Sequence, residues 1–185
     1  MKTFKVGLIA TGGRGRNCHQ AHQPEKGFEI VMGADINPAA NEAFLKAFPH
    51  ADVTTDYREV LKRKDIDVVC ISTPDFLHEE MAVAALEAGK AVFLEKPMAI
   101  TIEGCDRILA TAMKTGSKLF IGHNMRYFPV VLKMKEIIDS GDIGDVQYIS
   151  ARRLNLGLFQ KDINVAWDLA PHDIPRGGIA FPYPV

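Results

Sequence analysis

The stretch Phe4-Lys5-Val6-Gly7-Leu8-Ile9-Ala10-Thr11-Gly12-Gly13-Arg14-Gly15-Arg16 begins apolar and ends in glycine. Phe4 to Ala10 reads as a short strand of a parallel sheet. Such strands are covered on both faces and lose the polar alternation of a half-exposed strand. Thr11 to Arg16 is a turn, and Asn17 to His22 continues as a helix. Strand, glycine turn and helix form the setting in which a glycine loop receives a pyrophosphate. The pattern is Ala10-x-Gly12-x-x-Gly15, with alanine in the first glycine's place. Gly12, Gly13 and Gly15 allow close backbone approach, the helix start offers N–H groups to an anion, and Arg14 adds a charge. Taken alone, the loop is equally a tight glycine turn without a ligand.

The next segment favours a dinucleotide. Phe28 to Ala34 reads as a second strand and ends at Asp35, 20 residues past Gly15 (35 minus 15), where an acid commonly takes the adenosine ribose hydroxyls. A carboxylate there repels a 2′-phosphate, and Ile36-Asn37-Pro38 carries no Lys or Arg, so NAD is expected and NADP is less favoured. The other use for Asp35, a helix cap, is already filled by Asn37 before Pro38.

Pro38 to Phe48 has helical spacing, a brief strand lies near Val53, and Asp56 with Glu59 starts another helix that runs to Lys62. Asp67 to Ser72 is a further buried strand, stopped at Thr73-Pro74 because the residue before proline avoids the helical region. His78 to Ala88 is helical, with Gly89 just past its end. Ala91-Val92-Phe93-Leu94 is the next strand and ends in Glu95-Lys96-Pro97. Thr101 to Lys114 is a helix, and Lys118 to Gly122 is the last strand of this unit. The alternation predicts an α/β fold with a doubly wound, Rossmann-type parallel sheet over residues 1–122. Open parallel sheets bind ligands at the carboxyl ends of their strands, so Lys96 projects where a cofactor and a substrate meet. The plainer reading of Lys96 is an ion pair with Glu95.

Residues 123–174 read as the start of a second domain. His123 to Phe128 crosses over, Pro129 to Ser140 is a helix, and Val146 to Leu154 alternates as a strand. Residues 175–185 are rich in proline and glycine and read as an irregular tail. An open edge on the Val146–Leu154 strand would make self-association into a homo-oligomer the expected outcome. The composition excludes several classes. The 185 residues carry a net charge of −1, which gives no field for nucleic acid or an anionic membrane. The apolar run at the N-terminus is too short to span a bilayer. Three scattered cysteines form no metal-binding cluster and suit the reduced thiols of a cytoplasmic protein.

With these residues in view, the chain resembles the glucose–fructose oxidoreductase/inositol dehydrogenase (Gfo/Idh/MocA) family from Val6 to about Ile174. The most specific piece is Glu95-Lys96-Pro97 after a strand. It is joined by Thr73-Pro74 with His78, Ala85-Leu86-Glu87-Ala88-Gly89-Lys90, Gly122-His123-Asn124-Met125-Arg126-Tyr127 and Gly141-x-Ile143-Gly144. Trp167-Asp168-Leu169-Ala170-Pro171-His172-Asp173-Ile174 looks like the family's catalytic Asp and His segment. The resemblance implies an NAD(P)-dependent oxidoreductase that oxidises a secondary alcohol of a sugar, inositol or nucleotide-sugar.

By that resemblance Lys96, Asp168 and His172 are the expected catalytic residues. His172 is the better general base by intrinsic acidity, and Asp168 four residues earlier orients it or the substrate. Without the resemblance both read as exposed loop residues. Gly12, Gly13, Arg14, Gly15, Asp35, Ser72, Thr73, Pro74, His78, Glu95, Lys96 and Arg126 are the expected cofactor contacts. His78 has a second reading, as a first-turn helix residue, and Arg126 as half of an ion pair. The family follows its nucleotide domain with a large α+β substrate domain and continues past Ile174 with an apolar helix. This chain has Pro175-Arg176-Gly177-Gly178 instead, so an incomplete, C-terminally truncated substrate domain is expected. The alternative function is then a non-catalytic NAD-binding fragment.

Overall fold

The computed structural model describes residues 2–148, 150 and 152. A first unit runs from Met1 to Gly122, and a second begins at His123. Six strands build the first: β1 (Phe4–Ile9), β2 (Phe28–Ala34), β3 (Asp52–Thr54), β4 (Val68–Ile71), β5 (Ala91–Leu94) and β6 (Leu119–Ile121). Their order across the sheet is β3-β2-β1-β4-β5-β6. Every pairing is parallel. The chain therefore winds outward from β1 in one direction, returns, and winds outward in the other. This is the doubly wound sheet that the alternation predicts, and it places a crevice at the carboxyl ends of β1 and β4.

The connecting helices are α1 (Pro38–Ala47), α2 (Tyr57–Lys62), α3 (His78–Glu87) and α4 (Ile102–Thr115). Side chains cap three of their starts. The Asn37 side chain accepts from Ala39 N–H at 3.0 Å, Asp56 from Arg58 N–H at 3.0 Å, and Thr101 from Gly104 N–H at 3.0 Å. Each cap contributes about 1 kcal/mol by satisfying a donor that the helix leaves over.

Alternate strand residues face opposite layers, as the pleat requires. Ile9, Val69, Ile71, Val92 and Leu94 pack with Val60, Ala82, Leu86 and Ile108 on one face. Val6, Leu8, Ile30 and Cys70 pack with Cys18, Phe44 and Phe48 on the other. The second face is the more aromatic, with the Phe44 and Phe48 rings 5.0 Å apart and His19 set edge-on to both. Each large side chain fully buried this way contributes about 1.5–3 kcal/mol.

Two expectations differ from the structure. The helix expected over Asn17–His22 is a 3-10 helix that begins earlier, over Gly13–Ala21. Its bonds reach back three residues, from Gly15 N–H to the Gly12 carbonyl at 2.8 Å and from His22 N–H to the His19 carbonyl at 3.1 Å. The strand expected over Val146–Leu154 is not seen at Val146–Tyr148, Ser150 or Arg152, and the rest lies outside the described residues. Alternation alone makes no ladder; a strand also needs a partner. In the second unit, a 3-10 turn over Asn124–Tyr127 leads into α5 (Pro129–Ser140), which Gly141 ends with a φ of 77°. Among the described residues no helix is long and apolar enough to cross a membrane.

Candidate functional site at the carboxyl edge of the sheet

Three turns of the first unit open at the carboxyl edge. Ala10–Gly15 follows β1, Ser72–Pro74 follows β4, and Glu95–Pro97 follows β5. Asp35 stands beside the first, at the end of β2. Backbone bonds continue the ladder into these turns, from Ala10 N–H to the Ala34 carbonyl (2.8 Å), Ser72 N–H to Ile9 (3.1 Å) and Glu95 N–H to Ile71 (2.9 Å).

The glycine turn is built by close approach. A Cβ on Gly15 would overlap the Ala10 carbonyl, so only glycine fits there. Ala10 takes the left-handed backbone that a glycine would take, with a φ of 68°. That conformation costs an L-residue about 1–2 kcal/mol, and the turn forms despite it. Gly33 in β2 leaves the space into which Thr11 and Phe44 pack: a Cβ there would stand 2.6 Å from the Thr11 methyl and 2.8 Å from the Phe44 ring. The His19 ring nitrogen Nε2, 3.2 Å from the Thr11 carbonyl oxygen, ties the 3-10 helix back to the turn. Burial pushes the His19 imidazole below its ordinary range.

Asp35 does more than wait for a ribose. Its Oδ2 accepts from Thr11 N–H and Gly12 N–H, both at 3.0 Å, and its Oδ1 accepts from Asn37 N–H at 2.9 Å. The carboxylate thus fixes the glycine turn and the entry to α1 together. The two turn N–H groups it takes are not the ones left for an anion. Those are the N–H groups of Gly13 and Arg14, which precede the first helical bond. The buried Asn41 amide holds Asp35 from behind, donating to the Asp35 and Thr54 carbonyls, each at 2.9 Å.

Across the crevice, Cys18 Sγ lies 2.9 Å from Ser72 Oγ. Hydrogen bonding from Cys70 and Ser72 holds the Cys18 thiol below its ordinary range, while the Cys18 contact and burial push Cys70 up. Ser72 is therefore engaged with the wall of the crevice, and Thr73 and Pro74 form its rim. Lys96 is buried, at 7% exposure, and its N–H lies 3.3 Å from Glu95 Oε2. The Lys96–Pro97 peptide is cis. Gly122, at the end of β6, lets the Glu95 carboxylate sit against the backbone: a Cβ there would stand 3.3 Å from Oε2.

Gly12, Gly13, Gly15, Asp35, Ser72, Thr73, Pro74, Glu95 and Lys96 are thus brought to one edge. His78 stands in the first turn of α3, its second reading, fully buried and with both ring nitrogens against backbone carbonyls. Arg126 is exposed on the 3-10 turn of the second unit. The Arg14 side chain, Asp168 and His172 lie outside what the structure describes. Thr11, His19, Asn41 and Cys18 support the site and were not singled out by the sequence for it.

The edge fits a dinucleotide. Its glycine cradle has no room for a Cβ at Gly15, and the buried hydroxyls of Thr11 and Thr73 have no hydrogen-bond partner among the described residues. Comparison with known proteins agrees. Residues 4–123 match the pattern of an oxidoreductase family with an NAD-binding Rossmann fold. The inositol 2-dehydrogenase of Klebsiella pneumoniae subsp. pneumoniae is 40% identical over 149 residues, covering 77% of this chain and 43% of that protein. A 1-carboxy-3-chloro-3,4-dihydroxycyclo hexa-1,5-diene dehydrogenase of Comamonas testosteroni is 38% identical over 146 residues, covering 79% and 37%. A Lactobacillus casei scyllo-inositol dehydrogenase, solved with NAD(H) and scyllo-inositol bound, superposes with a TM-score of 0.73 at 27% identity, covering 78% of this chain and 43% of that one. The chain spans about four-tenths of the length of these curated relatives. Sheet order, glycine cradle and sequence match lead to one assignment: the chain belongs to the Gfo/Idh/MocA oxidoreductase family, through its NAD-binding Rossmann domain.

Proposed function

We propose that the chain belongs to an NAD-dependent dehydrogenase that oxidises a secondary alcohol of a sugar, an inositol or a nucleotide-sugar. The convergence of Gly12–Gly15, Asp35 and Lys96 at one sheet edge supports the reading. The inositol dehydrogenases among its relatives support the alcohol class.

Bound NAD supplies a hydride acceptor. The chain's own residues hold and orient. Gly13 and Arg14 N–H groups receive the pyrophosphate. Asp35, already fixed by three backbone donors, accepts from a ribose hydroxyl with the one lone pair left on Oδ1. The same carboxylate repels a 2′-phosphate, so NAD is preferred over NADP. Lys96 presents its amine at the alcohol oxygen and helps move the hydroxyl proton. In this proposal Asp168 and His172, carried by a substrate domain that begins in residues 123–174, act as orienting group and general base. We assign the protein to the cytoplasm, where its three free cysteines stay reduced, and expect it to self-associate.

Calorimetric titration with NAD and with NADP tests the cofactor: saturable NAD binding at least about tenfold tighter than NADP is expected. Equal affinity for the two removes the role given to Asp35. In the whole protein, Lys96→Ala is expected to abolish turnover and leave NAD binding in place. Turnover that survives this change removes Lys96 from the chemistry.

A further inference from the structure

His78 opens α3, yet none of its surface reaches solvent. Its Nδ1 lies 2.7 Å from the Pro97 carbonyl oxygen, and its Nε2 lies 3.0 Å from the Thr73 carbonyl oxygen. Both partners are acceptors only. A neutral imidazole carries one N–H and donates to one of them at a time. The shorter contact is to Pro97, the residue after Lys96. Thr73 and Pro97 belong to the turns that follow β4 and β5, and these strands pair in register from Val68↔Ala91 to Ile71↔Leu94. The ring therefore spans two adjacent turns of the carboxyl edge from beneath.

Nothing about the helix start calls for this residue. The residue before it makes no side-chain cap, and the ring points into the core rather than to the end of α3. An apolar side chain would fill the volume without the cost of burying a polar ring. The two carbonyl contacts are what distinguish histidine here.

We infer that His78 is the positioning residue for Lys96. By donating Nδ1–H to the Pro97 carbonyl it fixes the backbone that carries the lysine amine and holds it to the Thr73–Pro74 turn. The inference rests on the role proposed above for Lys96. It makes His78 a determinant of that role without contact to cofactor or substrate.

Two conservative variants separate the two carbonyls. Asparagine places an amide N–H near the Nδ1 position, and glutamine places one near Nε2. The readout is the rate at which Lys96 is acylated by an N-hydroxysuccinimide acetate, followed by peptide mass spectrometry on the intact chain. Lys62 and Lys114, both exposed, serve as internal references. His78→Gln is expected to shift the Lys96 rate about fivefold, the size of one net hydrogen bond, while His78→Asn restores it. Equal shifts in both variants, no shift in either, or reference lysines that move with Lys96 overturn the inference. Should His78→Gln fail to fold, nitrogen-15 NMR of the histidine-labelled wild-type chain decides the matter. A proton on Nδ1 supports the inference, and a bare Nδ1 with the proton on Nε2 overturns it. Neither measurement needs turnover. A Lys96→Ala variant that still turns over would remove the catalytic reading and leave the positioning result standing.

Discussion

At the carboxyl edge of the sheet the Asp35 carboxylate is held by main-chain N–H groups; at the amino edge Asp65, Asp52, Arg63 and Lys2 are held in ion pairs, beside a buried Lys90 that donates to the Arg63 and Ile66 carbonyls. Asp35 at the first edge accepts from three main-chain N–H groups, and Lys96 is buried. At the second edge Asp65 pairs with Arg63 (2.7 Å) and Lys5 (3.1 Å), Arg63 also reaches Asp52 (2.6 Å), and Lys2 reaches Asp67 (3.4 Å). The two carboxylates paired with Arg63 are well exposed: 41% of the Asp65 side chain and 71% of the Asp52 side chain face water. Exposed pairs contribute about 0–1 kcal/mol each, because solvent screens them and side-chain entropy opposes them. A carboxylate bonded to main-chain donors is shorter-ranged, directional and harder to replace. The two edges close the same sheet with the same residue types. The difference between Asp35 and Asp65 teaches that a carboxylate's weight in the fold is set less by its charge than by what restrains it.

That contrast can be broken in order of size. Gly15→Ala drives a Cβ into the Ala10 carbonyl, where nothing flexible can yield. A loss of about 3 kcal/mol in urea unfolding, with NAD binding abolished in calorimetry, is expected. A neutral result would mean the turn is looser than its geometry. Asp35→Ala leaves three N–H groups without their acceptor and is expected to cost about 2–3 kcal/mol. Asp35→Asn keeps an acceptor and is expected to recover part of the stability without the preference for NAD, which competition between NAD and NADP would read. Ala10→Gly relieves the left-handed strain and is expected to add about 1 kcal/mol. No gain in the unfolding midpoint would show that the turn already absorbs it.

Asp65→Asn is the control at the other edge. The Arg63 hydrogen bond, with help from Lys5, holds the Asp65 carboxyl well below its usual range in the folded chain. The sign follows: its contribution is present above the unfolded value of 3.8 and is lost as pH falls through the lower folded value. Screening at 41% exposure limits the expected cost at neutral pH to below about 1 kcal/mol. The deficit against wild type should fade in acid-unfolding curves below pH 3.8. A cost equal to that of Asp35→Ala would erase the distinction between the edges.

Much of this was legible in the sequence for a local reason. Strands β1, β2, β4 and β5 are short apolar runs bounded by Gly, Pro or Asp. Asn37, Asp56 and Thr101 cap helices whose starts their own side chains define. The spacing from Gly15 to Asp35 put the acid beside the glycine turn because strand, helix and strand have set lengths. What was not legible depends on approach in space. Asp35 reads as an acid reaching out to a ligand, yet it turns inward to Thr11 and Gly12, a choice made by how β1 and β2 pair. His78 reads as a first-turn helix residue or a cofactor contact. Its two carbonyls come from the turns after the strands on either side of α3, which no periodicity reveals. Val146–Tyr148 show that a pleat-like pattern is only permission to pair.

The pairing of β1 also bears on how the chain is made. Val6 lies against Ile30 on one side and Val68 on the other. A ribosome releases β2 soon after β1, but β4 emerges only when more than half of the first unit has been synthesised. Until then, one side of the central strand offers unpaired N–H and C=O groups to any extended segment nearby. Distant pairings of this kind also fold late, because the loop must close before the contact stabilises it. The nascent chain therefore carries its central strand half-open through much of translation, and a holding chaperone has its clearest opportunity in that interval.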